Sequence, residues 1–253
     1  MPLCEFVRDN WPTGREFVLH GPPMLAWAFA ALTLAGWLKR RYALRTGYSR
    51  KLFHFAVFFT VAALQVTVGL RAVCLFGAMT TLVIAYAVVR GEGDLHYEAV
   101  AREKDAPHRT HFIVVPYIAT LLGGVTASIV FGGAALYGFL VTGVGDAIGE
   151  PVGVRFGRHP YRVPSMRGVT CTRTLEGSAA VFAVSVLAAF AAGAALGGLP
   201  QSPFAAIGLA VAVGLASAVC EAVSPHGWDN FTLQVVPPAV VYVFHAIVAY
   251  AAV

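Results

Sequence analysis

The chain has 253 residues, of which 58% are hydrophobic and only 12% carry a charge. Soluble domains carry about 25% Asp, Glu, Lys and Arg, so this composition excludes an ordinary soluble globule. A disordered chain is excluded as well, because disorder requires low hydrophobicity and high net charge. The length is therefore expected to set a number of membrane crossings rather than a number of soluble domains.

Long runs without Asp, Glu, Lys or Arg predict membrane-spanning helices, since about 20 apolar residues in a helix cross the bilayer. Two of these runs, 110–145 and 177–220, have double length and carry a turn signal near the middle. We therefore expect an all-α, polytopic helical bundle of about eight transmembrane helices, forming a single integral membrane domain over residues 1–253. The expected spans are 22–39, 52–70, 72–89, 111–130, 134–150, 177–196, 204–221 and 232–252.

The distribution of Lys and Arg predicts the orientation. Fifteen of the 18 basic residues fall in the loops 39–51, 90–110 and 151–176, which alternate with loops almost free of them. By the positive-inside rule these loops face the cytoplasm. Both termini are then expected on the non-cytoplasmic side of the cell (inner) membrane, with 1–20 as an extracytoplasmic tail. The net charge of +5 follows from this topology, and no nucleic acid is expected as a partner.

Three local features give further expectations. Pro22-Pro23 predicts the start of the first helix, where a missing N–H costs little. The segment 90–110 is expected to be a solvated loop, with a short surface helix that carries Glu98 and Arg102 at i, i+4. The four cysteines include no CxxC pair, so neither a disulfide framework nor a zinc site is expected.

Arg50, Lys51 and His54 stand at the cytoplasmic end of the second expected span. One interpretation is a basic flank with a histidine at the interface, as the positive-inside rule requires. The other interpretation is that two cations and a histidine meet a phosphorylated headgroup or a nucleotide at the membrane surface. The sequence leaves both open.

Asp146 and Glu150, at the end of the fifth expected span, form the strongest candidate site. Side chains four residues apart share one face of a helix. Two carboxylates placed in this way repel each other and lose hydration unless a cation lies between them. Mg²⁺ suits this role, because it takes one or two carboxylates and fills its other positions with phosphate oxygens and water. The alternative is a helix end with solvated charges.

The residues after this pair fit phosphate binding. Pro151 is expected to stop the helix. Glycines then allow close backbone approach, and arginines can meet phosphates bidentately. These residues are Gly153, Arg155, Gly157 and Arg158. The segment 151–176 is accordingly expected to be a cytoplasmic catalytic loop.

The segment 173–178, which opens the sixth expected span, has two interpretations. Thr174, followed by a glycine and a serine, is typical of a helix cap. Arg173 and Glu176 fit ligands of a donor phosphate and of a metal equally well. The spacing does not decide between the two.

A last set of polar residues lies between the seventh and eighth expected spans. Glu221 ends one span, and Asp229-Asn230 precede the other. Asp229 also suits the N-cap of the last helix. These residues are candidates for the same site because they are expected on the same membrane face as Asp146.

Four motifs in this order resemble those of the dolichol kinase and phytol kinase group of CTP-dependent, polytopic lipid kinases. That group is related to phosphatidate cytidylyltransferases and to the CTP-dependent diacylglycerol kinase of yeast. The resemblance covers roughly 49–235 in collinear order and is densest at 145–178. The motifs are Arg50-Lys51-x-x-His54, Gly145-Asp146…Gly153…Phe156-Gly157, Arg173-Thr174-Leu175-Glu176-Gly177-Ser178 and Glu221…Asp229-Asn230.

The resemblance implies transfer of the γ-phosphate of CTP to the hydroxyl of a membrane lipid alcohol, such as phytol, farnesol, a polyprenol or dolichol, with Mg²⁺. Asp146 falls on the group's Gly-Asp motif, which implies a role in metal binding or catalysis. Asp229 and Asn230 fall on its Asp-Asn pair. Arg173 stands where the group usually has Lys, which keeps the charge but replaces a point-charge ammonium with a planar guanidinium. Gly153, Arg155 and Gly157 fall on its Gly-x-x-Phe-Gly segment, and Glu176, Gly177 and Ser178 fall on its Lys-Ser/Thr-x-x-Gly-Ser motif.

Spacing and resemblance together give a full set of expected roles. Asp146 and Asp229 are the expected catalytic residues. The expected metal ligands are Asp146, Glu150, Glu176 and Glu221. The expected nucleotide and phosphate ligands are Arg50, Lys51, His54, Gly153, Arg155, Gly157, Arg158, Arg173, Gly177, Ser178 and Asn230.

Two other functions stay open at this point. A phosphatidate cytidylyltransferase would use the same CTP and metal but release pyrophosphate. The chain has no segment like that family's Lys-Asp…His-Gly-Gly…Asp-Arg-x-Asp signature. A transporter is the second alternative, although transporters place charges near midplane and are often built from two repeats. Here the acidic residues are expected at one face, and no repeat is visible.

Overall fold

The computed structural model describes residues 3–165 and 171–251, and most of this part is helical. Six helical stretches in it are long and apolar enough to cross a membrane. The protein is thus an all-α, multi-pass membrane protein at this level, as the sequence predicts. The six stretches are Gly14–Tyr42, Leu70–Arg90, His111–Phe156, Leu175–Leu196, Pro203–Val223 and Asp229–Val248.

Contacts divide the chain into two compact units, Met1–Tyr117 and Ile118–Val253. The core of the first unit lies between its second, fourth and fifth helices, and includes Leu32, Phe76 and Tyr97. Small residues let these helices approach closely. A Cβ on Gly36, for example, would lie 2.6 Å from the carbonyl oxygen of Leu95. The helices of this unit are α1 (Leu3–Asn10), α2 (Gly14–Tyr42), α3 (Thr46–Thr67), α4 (Leu70–Arg90) and α5 (Leu95–Val100).

The first long helix begins earlier than the sequence predicts. Thr13 caps α2, because its hydroxyl accepts a hydrogen bond from the Glu16 N–H and the Glu16 carboxylate accepts one from the Thr13 N–H. This reciprocal capping box starts the helix at Gly14. Pro22-Pro23 therefore lie inside α2, and the expected tail 1–20 contains helical residues. The start of the helix is set by the cap at Thr13, nine residues before Pro22.

The segment 90–110 is not the solvated loop that the sequence predicts. It contains α5 and a 3₁₀ turn at Glu103–Asp105, and Arg102 and Asp105 are almost fully buried as an ion pair of 2.9 Å. Lys39 and Arg109 bind Glu98 from two sides. The predicted short helix is present as α5, but it ends at Val100 and does not include Arg102. The basic partners of Glu98 are therefore Lys39 and Arg109. Paired charges can be buried where isolated ones stay in water.

The second unit contains α6 (His111–Phe131) from Ile118 onward, followed by α7 (Ala135–Val141). Gly124 of α6 lies against the ring of Phe139 in α7. Fifteen residues of straight helix would separate the two by about 22 Å, so the chain must reverse between them. The reversal occurs at the 3₁₀ turn Gly132–Ala134, where Gly132 has a φ of 55°. This turn lies at the boundary between the expected spans 111–130 and 134–150.

A π-helical turn at Thr142–Asp146 joins α7 to α8 (Ala147–Phe156). Pro151 lies inside α8, so the prediction that it stops the helix is wrong. A proline removes one backbone donor, and in membrane helices local π turns and neighbouring groups compensate for that loss. The expected loop 151–176 thus begins as helix.

A short antiparallel hairpin follows, made of β1 (Pro160–Val163) and β2 (Cys171–Thr174). The expected loop 151–176 thus contains two regular elements, the end of α8 and this hairpin. Residues 166–170, which complete that loop, lie outside the described residues. Three apolar helices come after the hairpin, α9 (Leu175–Leu196), α10 (Pro203–Val223) and α11 (Asp229–Ala251), and α9 packs against both α8 and α10.

Large apolar side chains are exposed along these helices, as a lipid solvent permits. Phe204 of α10, Leu187 of α9 and Ile247 of α11 are each more than half exposed. Soluble monomers rarely expose extended apolar faces of this kind. The surface composition therefore agrees with a membrane environment.

Candidate functional site

The centre of the candidate site is Arg173 at the end of β2. Its Nε lies 2.8 Å from Glu221 Oε1 in α10, and its Nη2 lies 2.7 Å from Asp229 Oδ2 at the start of α11. The three side chains are only 10–14% exposed. The structure thus brings together three of the residues that the sequence analysis singles out, from three different elements.

The ends of β2, α10 and α11 position the three side chains. Thr174 closes β2 and caps α9, since its hydroxyl accepts a hydrogen bond from the Gly177 N–H at 3.1 Å. The capping interpretation of Thr174 is confirmed. On the other side, α10 ends at Val223, and α11 begins at Asp229 after a short connection. Arg173, Glu221 and Asp229 are therefore each at or near the end of an element.

The electrostatics of the centre are dominated by carboxylates. Burial works to lower the pKa of Arg173, but the charges of Asp229, Glu221 and Asp146 raise it above its ordinary value. Glu221 and Asp229 thus pair directly with Arg173, and the charge of Asp146, in the π-helical turn, acts on the same guanidinium.

Tyr161 and Ser178 extend this centre. The Tyr161 hydroxyl lies 2.6 Å from Ser178 Oγ, and Ser178 Oγ donates to Glu221 Oε2 at 3.4 Å. Burial raises the pKa of the Tyr161 phenol, so this group stays protonated and can donate. Ser178 was predicted as a phosphate ligand, and the structure shows it bonded to a carboxylate of the centre.

Asn230 and Gln234 hold α11 to α6. Asn230 donates to the Thr120 hydroxyl, and Gln234 donates to the Thr120 carbonyl, at 2.8 and 2.9 Å. Gln234 is buried and also donates to the Asn230 carbonyl. Asn230 was predicted as a nucleotide ligand, and in the structure its side chain forms a hydrogen bond between two helices. Nucleotide binding by Asn230 stays a prediction.

A basic pocket of about 460 Å³ lies at the junction of α8, β1 and α9. Arg155 and Arg158, both predicted as phosphate ligands, line it, and their binding of a phosphate stays a prediction. His159, which the sequence analysis missed, lies there too, and its Nδ1 is 2.7 Å from Glu176 Oε1. The Glu176 carboxylate also accepts a hydrogen bond from the His159 N–H at 3.3 Å. Glu176, expected as a metal ligand, thus binds a histidine in the structure. The lining residues are Arg155, Phe156, Gly157, Arg158, His159 and Glu176.

The glycines of the site pack helix α8 against α9. A Cβ on Gly149 would lie 2.6 Å from Val181 Cγ2, and one on Gly153 would lie 2.8 Å from Thr174 Oγ1. From the other helix, a Cβ on Gly177 would lie 2.9 Å from the Gly149 carbonyl oxygen. This spacing of small residues is typical of close helix pairs in membranes. The close approach of Gly153, Gly157 and Gly177 is therefore explained by packing, and their binding of a nucleotide stays a prediction.

The expected metal ligands, Asp146, Glu150, Glu176 and Glu221, come from different elements of the second unit. Among residues 3–165 and 171–251, no group of three or more His, Cys, Asp and Glu side chains is arranged to hold a metal ion. Asp146 and Glu150 remain four residues apart across the start of α8, partly exposed. A magnesium site made of one or two carboxylates and substrate phosphates needs no third protein ligand.

Arg50, Lys51 and His54 all lie within the first nine residues of α3, in the first compact unit. This helix begins six residues before the predicted span 52–70, and it is not among the six described stretches that are long and apolar enough to cross a membrane. Lys51 is buried, and the ring of His54 lies 4.6 Å from that of Phe58. Contact of these residues with a phosphate stays a prediction.

Comparisons with known proteins found no match: no family model, no curated protein and no solved structure resembles the chain significantly. The class of the protein accordingly rests on its own fold. It is a multi-pass, all-α membrane protein whose second unit carries a buried Arg–carboxylate centre and a basic pocket.

Proposed function

We propose that the protein is a CTP-dependent kinase that phosphorylates the hydroxyl of a membrane lipid alcohol, such as an isoprenoid. The observation that carries this proposal is the pairing of Arg173 with Glu221 and Asp229 beside Asp146, at the helix ends of the second unit. All four are residues on which the resemblance to the lipid kinases rests. They come from segments up to 83 residues apart.

Phosphoryl transfer needs positioned cations and a proton acceptor more than covalent chemistry. Arg173 supplies a fixed cation, and Arg155 and Arg158 supply two more at the basic pocket. The triphosphate of CTP would extend from this pocket towards Arg173. Arg173 belongs to the centre and Glu176 to the pocket, three positions further along the chain, and the proposal is that one ligand contacts both.

The residues fit a magnesium ion. Asp146 and Glu150 stand four residues apart at the start of α8, a spacing that places both carboxylates on one side of a helix. These two would hold Mg²⁺, which when bound neutralises charge on the donor phosphates. The lipid hydroxyl attacks the γ-phosphorus, its proton passes to Asp146 or Asp229, and CDP leaves.

The topology belongs to the same proposal. Eight crossings result if α3 is counted and if His111–Phe156, which reverses at Gly132, crosses twice. Both termini then lie on the non-cytoplasmic side of the cell membrane, and the centre faces the cytoplasm, where CTP is present. The lipid acceptor would enter sideways from the bilayer.

The experiment is a product analysis with purified protein in lipid vesicles. Labelled CTP and Mg²⁺ are supplied with phytol, farnesol, undecaprenol or diacylglycerol, and nucleotide and lipid products are separated. We expect a labelled lipid monophosphate and CDP with at least one alcohol, and at least a hundredfold loss in Asp146→Asn. Glu92→Gln, which alters an exposed carboxylate of the first unit, is the matched control and should keep full activity.

Three results would contradict the proposal, each in its own way. Pyrophosphate and a CDP-lipid as products would indicate a cytidylyltransferase. Substrate flux without nucleotide turnover would indicate a transporter. Full activity of Asp146→Asn would remove the proposed centre from the reaction.

A further inference from the structure

The β-hairpin connects two helices through two opposed residues. Tyr161 of β1 and Arg173 of β2 are cross-strand partners in the antiparallel register. Directly opposed residues project from the same face of such a pair. From this face Tyr161 reaches Ser178 of α9, and Arg173 reaches Glu221 of α10.

These contacts form a closed ring. The Tyr161 hydroxyl bonds to Ser178 Oγ at 2.6 Å, and Ser178 Oγ donates to one oxygen of Glu221 at 3.4 Å. The other oxygen of Glu221 accepts from Arg173 Nε at 2.8 Å. Since Ser178 uses its proton for Glu221, the Tyr161 hydroxyl donates to Ser178. The ring thus runs from the hairpin through α9 and α10 back to the hairpin.

The ring fixes the direction of one remaining donor. Arg173 is a planar fork, and its Nε and Nη2 are held by Glu221 and Asp229. Its Nη1 is buried and has no hydrogen-bond partner among the described residues. A guanidinium held at two nitrogens has no freedom to redirect the third. Nη1 is therefore a pre-aimed donor, and a phosphate oxygen is a ligand that guanidinium nitrogens bind well.

We propose that Tyr161 is a positioning residue for the phosphoryl transfer, acting through Ser178 and Glu221 on the Nη1 donor of Arg173. This inference rests on the proposed function. Loss of the phenol hydroxyl would loosen Glu221 and let the guanidinium turn. The charge at the centre would be unchanged, so donor binding should suffer less than the transfer step.

The test compares Tyr161→Phe, Ser178→Ala and the double variant in the CTP and lipid assay. We expect each single variant to lower kcat about tenfold with the KM for CTP changed less than twofold, since the interaction matters in the transition state. The double variant should be no slower than the slower single variant, because both break the same ring. Tyr242→Phe, which alters an exposed tyrosine of α11, is the matched control.

The outcomes separate this inference from the proposed function. If the wild type and Tyr242→Phe phosphorylate a lipid and Tyr161→Phe is equally fast, Tyr161 has no positioning role, while the proposed function stands. Additive losses in the double variant, or a loss that matches the fraction of unfolded protein, also overturn the inference. If the wild type transfers no phosphate to any alcohol of the panel, the proposed function fails, and the inference fails with it.

Discussion

Arg173 Nη2 donates a hydrogen bond to Asp229 Oδ2 at 2.7 Å, although 56 residues separate the two along the chain. With Glu221 on its other side, the guanidinium joins β2, α10 and α11. All three groups are largely buried, so water cannot take the place of a lost partner, and breaking either pair should destabilise the fold. The pairing therefore supports the folded second unit as well as the proposed site.

Removal of the guanidinium should destabilise the protein. Arg173→Ala leaves Glu221 and Asp229 buried without their cation, and such a change typically costs about 3–5 kcal/mol in the free energy of unfolding. The measurement is thermal or denaturant unfolding in detergent. Arg162→Ala, an exposed arginine of the same hairpin, should change this free energy by less than about 0.5 kcal/mol. Equal stability of the two variants would contradict the burial of the pair.

Added methyl groups between α8 and α9 should be costly. Gly149→Ala places a Cβ within 2.6 Å of Val181 and should lower the free energy of unfolding by about 1–3 kcal/mol through overpacking. Gly77→Ala is the matched control, because it is also a helical glycine but meets no atom within 4 Å. It should be neutral or stabilising, since alanine favours helix by about 1 kcal/mol. A stable Gly149→Ala would mean that the two helices are further apart.

Acid should weaken the first unit through Glu103. Partial burial works to raise the pKa of this carboxyl, but hydrogen bonds from Lys39 and Thr46 lower it from its ordinary 4.5 to about 2. A carboxyl with a lowered pKa adds stability above its unfolded value and loses it as the pH falls through the folded value. Unfolding temperature should thus fall between about pH 4.5 and about pH 2.

The variant Glu103→Gln should make that fall shallower, because it removes the titrating group. Glu5→Gln, which alters an exposed carboxylate of α1 outside this network, should keep the slope of the wild type. If Glu103→Gln and the wild type lose stability in parallel, the network with Lys39 does not govern the acid response.

The basic pocket should set the affinity for the donor nucleotide. His159→Ala removes a group that lines the pocket, and we expect the KM for CTP to rise about tenfold, which corresponds to one charge-assisted hydrogen bond. Arg155→Ala should act in the same direction and reduce the salt dependence. Arg8→Ala, a highly exposed arginine of α1, is the control. An unchanged KM in His159→Ala would place the nucleotide elsewhere.

The orientation is open to a labelling test in a cysteine-free background. Ser202→Cys, in the exposed turn between α9 and α10, should react with an impermeant thiol reagent in intact cells. Glu92→Cys should react only after the membrane is opened, since the basic segments are expected to be cytoplasmic. The reverse pattern would invert the proposed topology and place the centre outside.

Helix positions in this protein follow closely from hydrophobicity, whereas helix ends do not. The predicted spans 72–89 and 204–221 agree within two residues with Leu70–Arg90 and Pro203–Val223. Apolar runs of this length have few alternatives in a membrane. At Gly14 and Phe156 the helix ends depend on a cap and on tolerance of prolines, which the apolar pattern does not encode.

The sequence singles out Arg173, Glu221 and Asp229 but does not indicate that they pair with one another. Arg173 and Glu221 stand out because charges are rare in this chain, and rarity alone marks them. Their mutual contact depends on how α9 and α10 pack. Tyr161 was missed because a four-residue strand shows no usable alternation of polar and apolar residues. His159, in the connection just before that strand, carries no spacing that would mark it. The burial of the Arg102–Asp105 ion pair was missed because paired and solvated charges look alike in a sequence.

The π-helical turn at Thr142–Asp146 has a consequence for the way in which this chain tolerates insertions and deletions. Such a turn holds one residue more than the α-helical repeat requires. Deletion of a single residue there, such as Val144, would let the backbone regain regular α-helical bonding. Because the π turn absorbs the extra residue locally, this deletion would leave α7 and α8 in their present orientation about the helix axis. A deletion within the regular part of either helix would instead rotate the segment beyond it by about 100° and present a different side to its neighbours.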